Sequence, residues 1–189
     1  MSAGQDPPLS LAEWLVLCLV CEKPMHGFAL AALLGPDGEL GRVWRVPKPV
    51  VYRALQRLDQ LGLVQITGQE PSNHGPVRSP VVPTHNGRNE AAEWLTRPAD
   101  HNRDVRSELL VKLALLARSG VDPRPLLGAQ RERLIPVARG LEGLLAEARG
   151  FDRTLALWRY ETMSATLRFL DALAAQETAP ASGASQLSP

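Results

Sequence analysis

One stretch separates its two faces so cleanly that it dictates the fold around it. Between residues 48 and 61, Val51, Ala54, Leu55 and Leu58 recur at three-and-four spacing, while Tyr52, Arg53, Gln56 and Gln60 fall opposite. That is an amphipathic helix with an apolar back and a polar front. Pro47 and Pro49 mark its front end, where a missing N–H costs nothing, and Gly62 stops it. Leu63-Val64-Gln65-Ile66-Thr67 then alternates and is β-branched, which reads as a strand. Residues 68–78 are rich in Gly, Pro, Asn and Ser and read as a loop. Residues 79–84 read as a return strand that Pro80 and Pro83 limit to an edge.

The segments ahead of this helix fit the same plan. Ser10 with Glu13 three residues on has capping-box spacing and opens a helix that Pro24 closes. Leu11, Trp14, Leu15, Cys18 and Leu19 keep the period, but Val16, Leu17 and Val20 are apolar too. A helix apolar nearly all round is buried on several sides, which suggests a partner subunit as well as its own core. Residues 27–34 form a second helix, stopped by Gly35-Pro36. Helix, helix and two-stranded wing is the pattern of a winged helix-turn-helix, whose second helix enters the major groove of DNA.

The remainder is helical. One helix ends near Trp94-Leu95, another runs from 105 to 117 with Gly120 behind it, and a third covers 123–149, weakened by Pro136, Gly140 and Gly143. The last runs from 152 to 176. Its apolar residues Leu155, Trp158, Met163, Leu167, Phe169, Leu170 and Leu173 cover close to half the circumference, more than one neighbour needs. The reading is therefore mainly α. Residues 1–8 form a disordered tail and 9–98 a winged-helix DNA-binding domain. Residues 99–176 form an α-helical C-terminal dimerisation domain, and 177–189 a second disordered tail. Dimer contacts fall on Leu11, Leu15, Leu155, Trp158, Met163, Leu167 and Leu170.

Charge points the same way. The chain of 189 residues has a formal net charge of only +1. Yet residues 40–90 hold seven Lys or Arg (Arg42, Arg45, Lys48, Arg53, Arg57, Arg78, Arg88) against Asp59, Glu70 and Glu90. The rest is net negative. Such asymmetry suits a small specific reader rather than a general nucleic-acid coat. No apolar run is long enough to span a bilayer, and the first residues lack a basic signal region, so a cytoplasmic location is expected.

Catalytic and metal chemistry find no footing. There is no phosphate-cradling glycine loop, no nucleophile motif and no ligand cluster, and the four His are scattered. Cys18 and Cys21 form a C-x-x-C, but structural zinc takes four ligands and the pair lies in an apolar helix. Two small buried hydrophobes are expected there. No cofactor and no metal are expected.

Several of these residues together resemble the PadR family of transcriptional regulators. The likeness rests on Met25-His26-Gly27-Phe28, on Trp44-Arg45, on Val51-Tyr52 with Ala54-Leu55 and Arg57-Leu58, and on Leu61-Gly62-Leu63-Val64. It continues through Thr84, Gly87-Arg88, Trp94-Leu95 and Glu108 to Leu113, covering roughly residues 9 to 176. The resemblance implies a homodimer that binds a palindromic operator in double-stranded DNA. It also implies repression, relieved by a small aromatic or hydrophobic effector. The chain departs from the family pattern at Val50 and Arg53, which flank the Val-Tyr pair in place of Ser and Pro. It departs again at Val81, where the wing usually carries an aromatic, and at Pro47, which takes the place of a side-chain cap.

The residues expected to touch DNA are Lys48, Tyr52, Arg53, Gln56 and Arg57 on the third helix, and Asn73, His74 and Arg78 in the wing. Arg53 is the leading base reader, since Arg binds guanine O6 and N7 in a bidentate way. Tyr52 and Lys48 suit phosphates. Trp14, Trp94 and Trp158 are the candidate effector contacts, as stacked rings gain beyond plain burial, and Trp44 props the turn before the reading helix. Two rivals share much of the pattern. One is a winged helix that binds protein instead of DNA. The other is a MarR-like regulator, whose extra helices flank the winged helix at both ends, whereas here most follow the wing.

Overall fold

The structure is a computed structural model, described over residues 8–67 and 80–178. Ser10 caps the first helix, α1 (Leu11–Glu22), through the full capping box expected with Glu13. Leu15, Val16, Leu17, Cys18, Leu19 and Val20 are all buried within the chain. Their neighbours are α3 (Lys48–Gln60), α4 (His85–Thr96), the strand β2 (Val81–Pro83) and α6 (Leu110–Ser119), which surround α1. Each buried Leu or Val contributes about 1.5–3 kcal/mol over an exposed one, so α1 is the axis of the core. Leu15 to Val20 are thus covered within the subunit, while Leu11 and Trp14 stay half-buried. Leu15, expected at a dimer contact, has no exposed surface.

Lys23 ends α1 and Pro24 follows it. α2 (Gly27–Leu33) buries Leu30 and packs on α3. The connection from Leu34 to Pro47 is closed by its own backbone. The N–H of Leu40 donates to Leu33 O at 3.1 Å, that of Trp44 to Leu40 O at 2.9 Å, and that of Val46 to Leu34 O at 2.9 Å. Leu40 and Val46 are its buried anchors, whereas Trp44, the expected prop, is exposed. Gly41 is required here, since a Cβ would lie 1.7 Å from Gly35 O.

After α3, Gly62 at φ +66° takes the left-handed turn that Gly adopts without strain. β1 (Val64–Ile66) pairs antiparallel with β2, in the register Val64–Pro83, Gln65–Val82 and Ile66–Val81. Val81 also exchanges backbone hydrogen bonds with Met25 at 3.1 and 3.3 Å, tying the wing base to the α1–α2 turn. Thr84 locks the exit. Its Oγ1 donates to Gly62 O at 2.8 Å and accepts the Gly87 N–H at 3.0 Å, and α4 starts there.

The chain divides into two compact units. The first contains the residues up to Thr96 together with Ser107–Val121. The expected boundary after residue 98 therefore misses α6, which packs on α1. α6 ends at Gly120, φ +64°. Its Arg118 donates to Glu22 at 2.9 Å and also to Glu39, and the Glu22 bond pushes the guanidinium pKa up. Lys112 of α6 is fully buried, bonded to Glu108 at 2.5 Å, with Nζ 4.5 Å from the Trp94 ring centre.

The second unit contains Arg97–Arg106 and the residues from Asp122 onward. Within it, α5 (Asn102–Asp104) leads into a π-helical turn, Val105–Leu109, that no sequence signal announces and that finishes in the first unit. α7 (Arg124–Glu147) runs through Pro136 without ending and packs along α8 (Gly150–Thr178). An interior Pro costs about 3 kcal/mol, and the buried Leu126, Leu127 and Leu134 offset it. The Gln130 side chain accepts the Ala99 N–H at 2.7 Å and donates to Ala99 O at 3.1 Å.

Candidate nucleic-acid interface

The polar front of α3 is the candidate site. Val51, Ala54, Leu55 and Leu58 are buried, so the spacing of the helix fixes what remains outside. Lys48, Tyr52, Arg53 and Gln56 are all exposed on that outer side, Tyr52 by 41%. No side chain caps the helix start, where Pro47 stands, so its first N–H groups carry no side-chain partner. Arg42 and Arg45, on the turn ahead of α3, are exposed as well.

α2 delivers an unexpected neighbour. Phe28 is 63% exposed, and Lys48 Nζ lies 5.5 Å from its ring centre, within cation–π range. The approach is close because residue 27 has no side chain: a Cβ there would lie 2.9 Å from Tyr52 Cε1. In the sequence Phe28 stands out only as part of the Met25-His26-Gly27-Phe28 motif. Its exposure shows only once α2 is folded with Leu30 inward.

Arg57 departs from the expected set. Its Nη1 donates to Glu13 Oε1 at 3.1 Å and Oε2 at 3.2 Å. Glu13 is almost wholly buried and also receives the Ser10 N–H at 2.6 Å and the Ser10 Oγ–H at 2.7 Å. A guanidinium held on a buried carboxylate is a structural pair between α1 and α3, not a hand reaching outward. Arg53 and Arg57 line a cleft of about 280 Å³ with Ser10, Glu13, Val50 and Ala54. Asn73, His74 and Arg78 lie outside the described residues.

Trp14 and Trp94 stack, with centres 5.2 Å apart and planes 6° apart. Trp94 is only 2% exposed and is further covered by Lys112, so it packs the core instead of receiving a ligand. Trp158, in the second unit, is 70% exposed. Among the other expected dimer contacts, Met163 and Leu170 are buried within the chain. Leu11 and Leu167 are half-buried, and Leu155 is exposed.

Cys18 is buried, and burial pushes its thiol pKa far above the ordinary range. Burial also raises Cys21, which Arg88 partly counters. Among the described residues no group of His, Cys, Asp and Glu could hold a metal, and no helix is long and apolar enough to cross a membrane.

A three-helix core, a helix with an exposed polar front in second position of a helix–turn–helix, and an antiparallel two-stranded wing make the first unit a winged helix-turn-helix. No family model matches the chain, and no curated protein does. Among solved structures, Bacillus subtilis PadR in complex with operator DNA is 18% identical with a TM-score of 0.46, over 89% of this chain and 99% of that one. The same PadR in complex with p-coumaric acid is 17% identical, TM-score 0.42, over 93% and 100%. The PadR-like transcriptional regulator BC1756 from Bacillus cereus is 16% identical, TM-score 0.38, over 88% and 97%.

Proposed function

We propose that the chain is a homodimeric PadR-like transcriptional regulator: a sequence-specific binder of duplex DNA that represses its target and is released by a small hydrophobic or aromatic effector. One observation carries the DNA reading. Lys48, Tyr52, Arg53 and Gln56 stand exposed on a helix whose opposite face is anchored in the core. That arrangement presents a guanidinium, an ammonium, a phenol and an amide on one rigid rod, the donor set that base edges and phosphates accept. Arg53 reads a base, and Lys48 and Tyr52 hold the backbone.

The dimer reading rests on the second unit. Phe151, Leu155 and Trp158 lie exposed along the first part of α8, and water is a poor neighbour for such a row. In a two-fold dimer, paired reading helices meet half-sites about one helical turn apart. The effector reading rests on Trp158, the one of the three candidate tryptophans with an open ring.

The test is direct. The protein is incubated with a duplex library containing a randomised core, and the retained fraction is titrated with salt. A true reader enriches an inverted repeat, and its affinity falls steeply with salt as phosphate counterions are released. Enrichment of nothing, or affinity indifferent to salt, overturns the reading and favours a protein-binding winged helix.

A further inference from the structure

The α3 front does not account for everything that faces outward on this side. Phe28 leaves most of its ring in solvent on a seven-residue helix whose buried residue is Leu30. An exposed phenylalanine is unremarkable alone. This one is not alone. Lys48 at the start of α3 lies over its ring at 5.5 Å, and Tyr52 packs against the neighbouring Gly27, whose lack of a Cβ lets the two helices meet. Arg53, one residue on, is exposed too, beside Ser10 and Glu13 of the α1 start. The first turns of α2 and α3 hold no acidic residue. The result is an exposed apolar ring with a cation beside it and no acid in the first turn of either helix.

Such a surface suits a duplex better than an apolar protein partner, because the cation repels nothing on DNA and attracts its phosphates. On the major-groove floor the one apolar feature that distinguishes bases is the C5-methyl group of thymine, and a phenylalanine ring is among the side chains that contact it. We propose that Phe28 is a further sequence-reading residue of this interface, an apolar contact for a thymine methyl group. The inference rests on the DNA-binding reading above. It adds a specificity element from α2, where the polar residues of α3 supply none for a methyl group. With Lys48 Nζ 5.5 Å from its ring centre, Phe28 meets the duplex beside the start of α3.

Selection from the randomised duplex library tests it, with the intact chain, Phe28→Ala and Phe28→Leu compared side by side. The intact chain enriches one T·A position that Phe28→Ala leaves random, and Phe28→Leu retains it partly. Replacing that thymine by deoxyuridine removes only the methyl group. It weakens the intact chain about fourfold, the size of one buried methyl group, and leaves Phe28→Ala unchanged. Because Phe28 is exposed, the variants fold, which unchanged thermal melting verifies. Identical selected sites for the intact chain and Phe28→Ala, or equal losses on deoxyuridine, overturn the assignment while leaving DNA binding intact. If the intact chain retains no duplex in a salt-dependent way, the DNA-binding reading itself has failed, and the role of Phe28 with it.

Discussion

Arg57 of α3 donates to both carboxylate oxygens of Glu13, at 3.1 and 3.2 Å, across 44 residues of chain. The same carboxylate closes the capping box of α1 through Ser10. One buried acid therefore fixes the start of the core helix and the middle of the helix that meets the outside. Glu13→Gln should lower stability by about 1–3 kcal/mol, the range for a charge-assisted bond left incomplete. Arg57→Ala should cost a similar amount, and the double variant little more than either alone. Denaturant unfolding of the four proteins measures the coupling, and strictly additive losses would show that the pair is not energetically joined.

Two exposed cations on α3 should separate by what they read. Arg53→Ala is expected to weaken binding to the preferred duplex by about 1–3 kcal/mol and to relax the sequence at one position. Lys48→Ala is expected to weaken all duplexes alike and to reduce the salt slope by about 1. Fluorescence anisotropy over a salt series distinguishes them. Equal behaviour of the two variants would remove Arg53 as a base reader.

Gly87 and Gly62 test the wing base. A Cβ on Gly87 would lie 1.9 Å from Leu63 O, an overlap that backbone movement alone can relieve. Gly62 meets no atom but has φ +66°. Gly62→Ala should therefore cost about 1–2 kcal/mol, the left-handed penalty, and Gly87→Ala should cost more. Thermal unfolding orders them, and a milder Gly87→Ala would mean that the Thr84 turn yields easily.

The buried thiol gives a pH dependence. Burial raises the Cys18 pKa, so the folded chain keeps this proton when the unfolded chain gives it up. The unfolded state then binds fewer protons, and stability falls as pH rises past the ordinary thiol range near 9.0. Cys18→Ala should flatten that alkaline decline. Iodoacetamide should alkylate the half-buried Cys21 well before Cys18 in the folded protein.

The exposed row on α8 predicts association. Leu155→Glu combined with Trp158→Glu should give monomers in sedimentation equilibrium at concentrations where the unaltered chain is a dimer, with helix content unchanged. A dimer that survives both charges would place the contact elsewhere.

Much of the winged helix was legible because its signals are local. Ser10 and Glu13 lie one turn apart, Gly62 must take a positive φ, and the faces of α3 follow from helical period alone. The site was legible in part. Arg53 and Arg57 share a helix and a spacing, yet one is free-standing in solvent and the other is bound to an acid far back in the chain. Likewise Trp94 and Trp158 read alike as aromatic residues on helices, while Lys112 and Trp14 enclose only the first.

The chain by itself determined which segments become helix and strand, where they stop, and which side of each helix seeks the interior, because backbone conformation and apolar periodicity act over a few neighbouring residues. Only the tertiary structure decided which charges are spent inside, that Leu15 to Val20 of α1 are covered within the subunit, and that Phe28 stays outside beside Lys48. Those outcomes depend on distances between residues remote in sequence, and folding alone brings such residues within reach of one another.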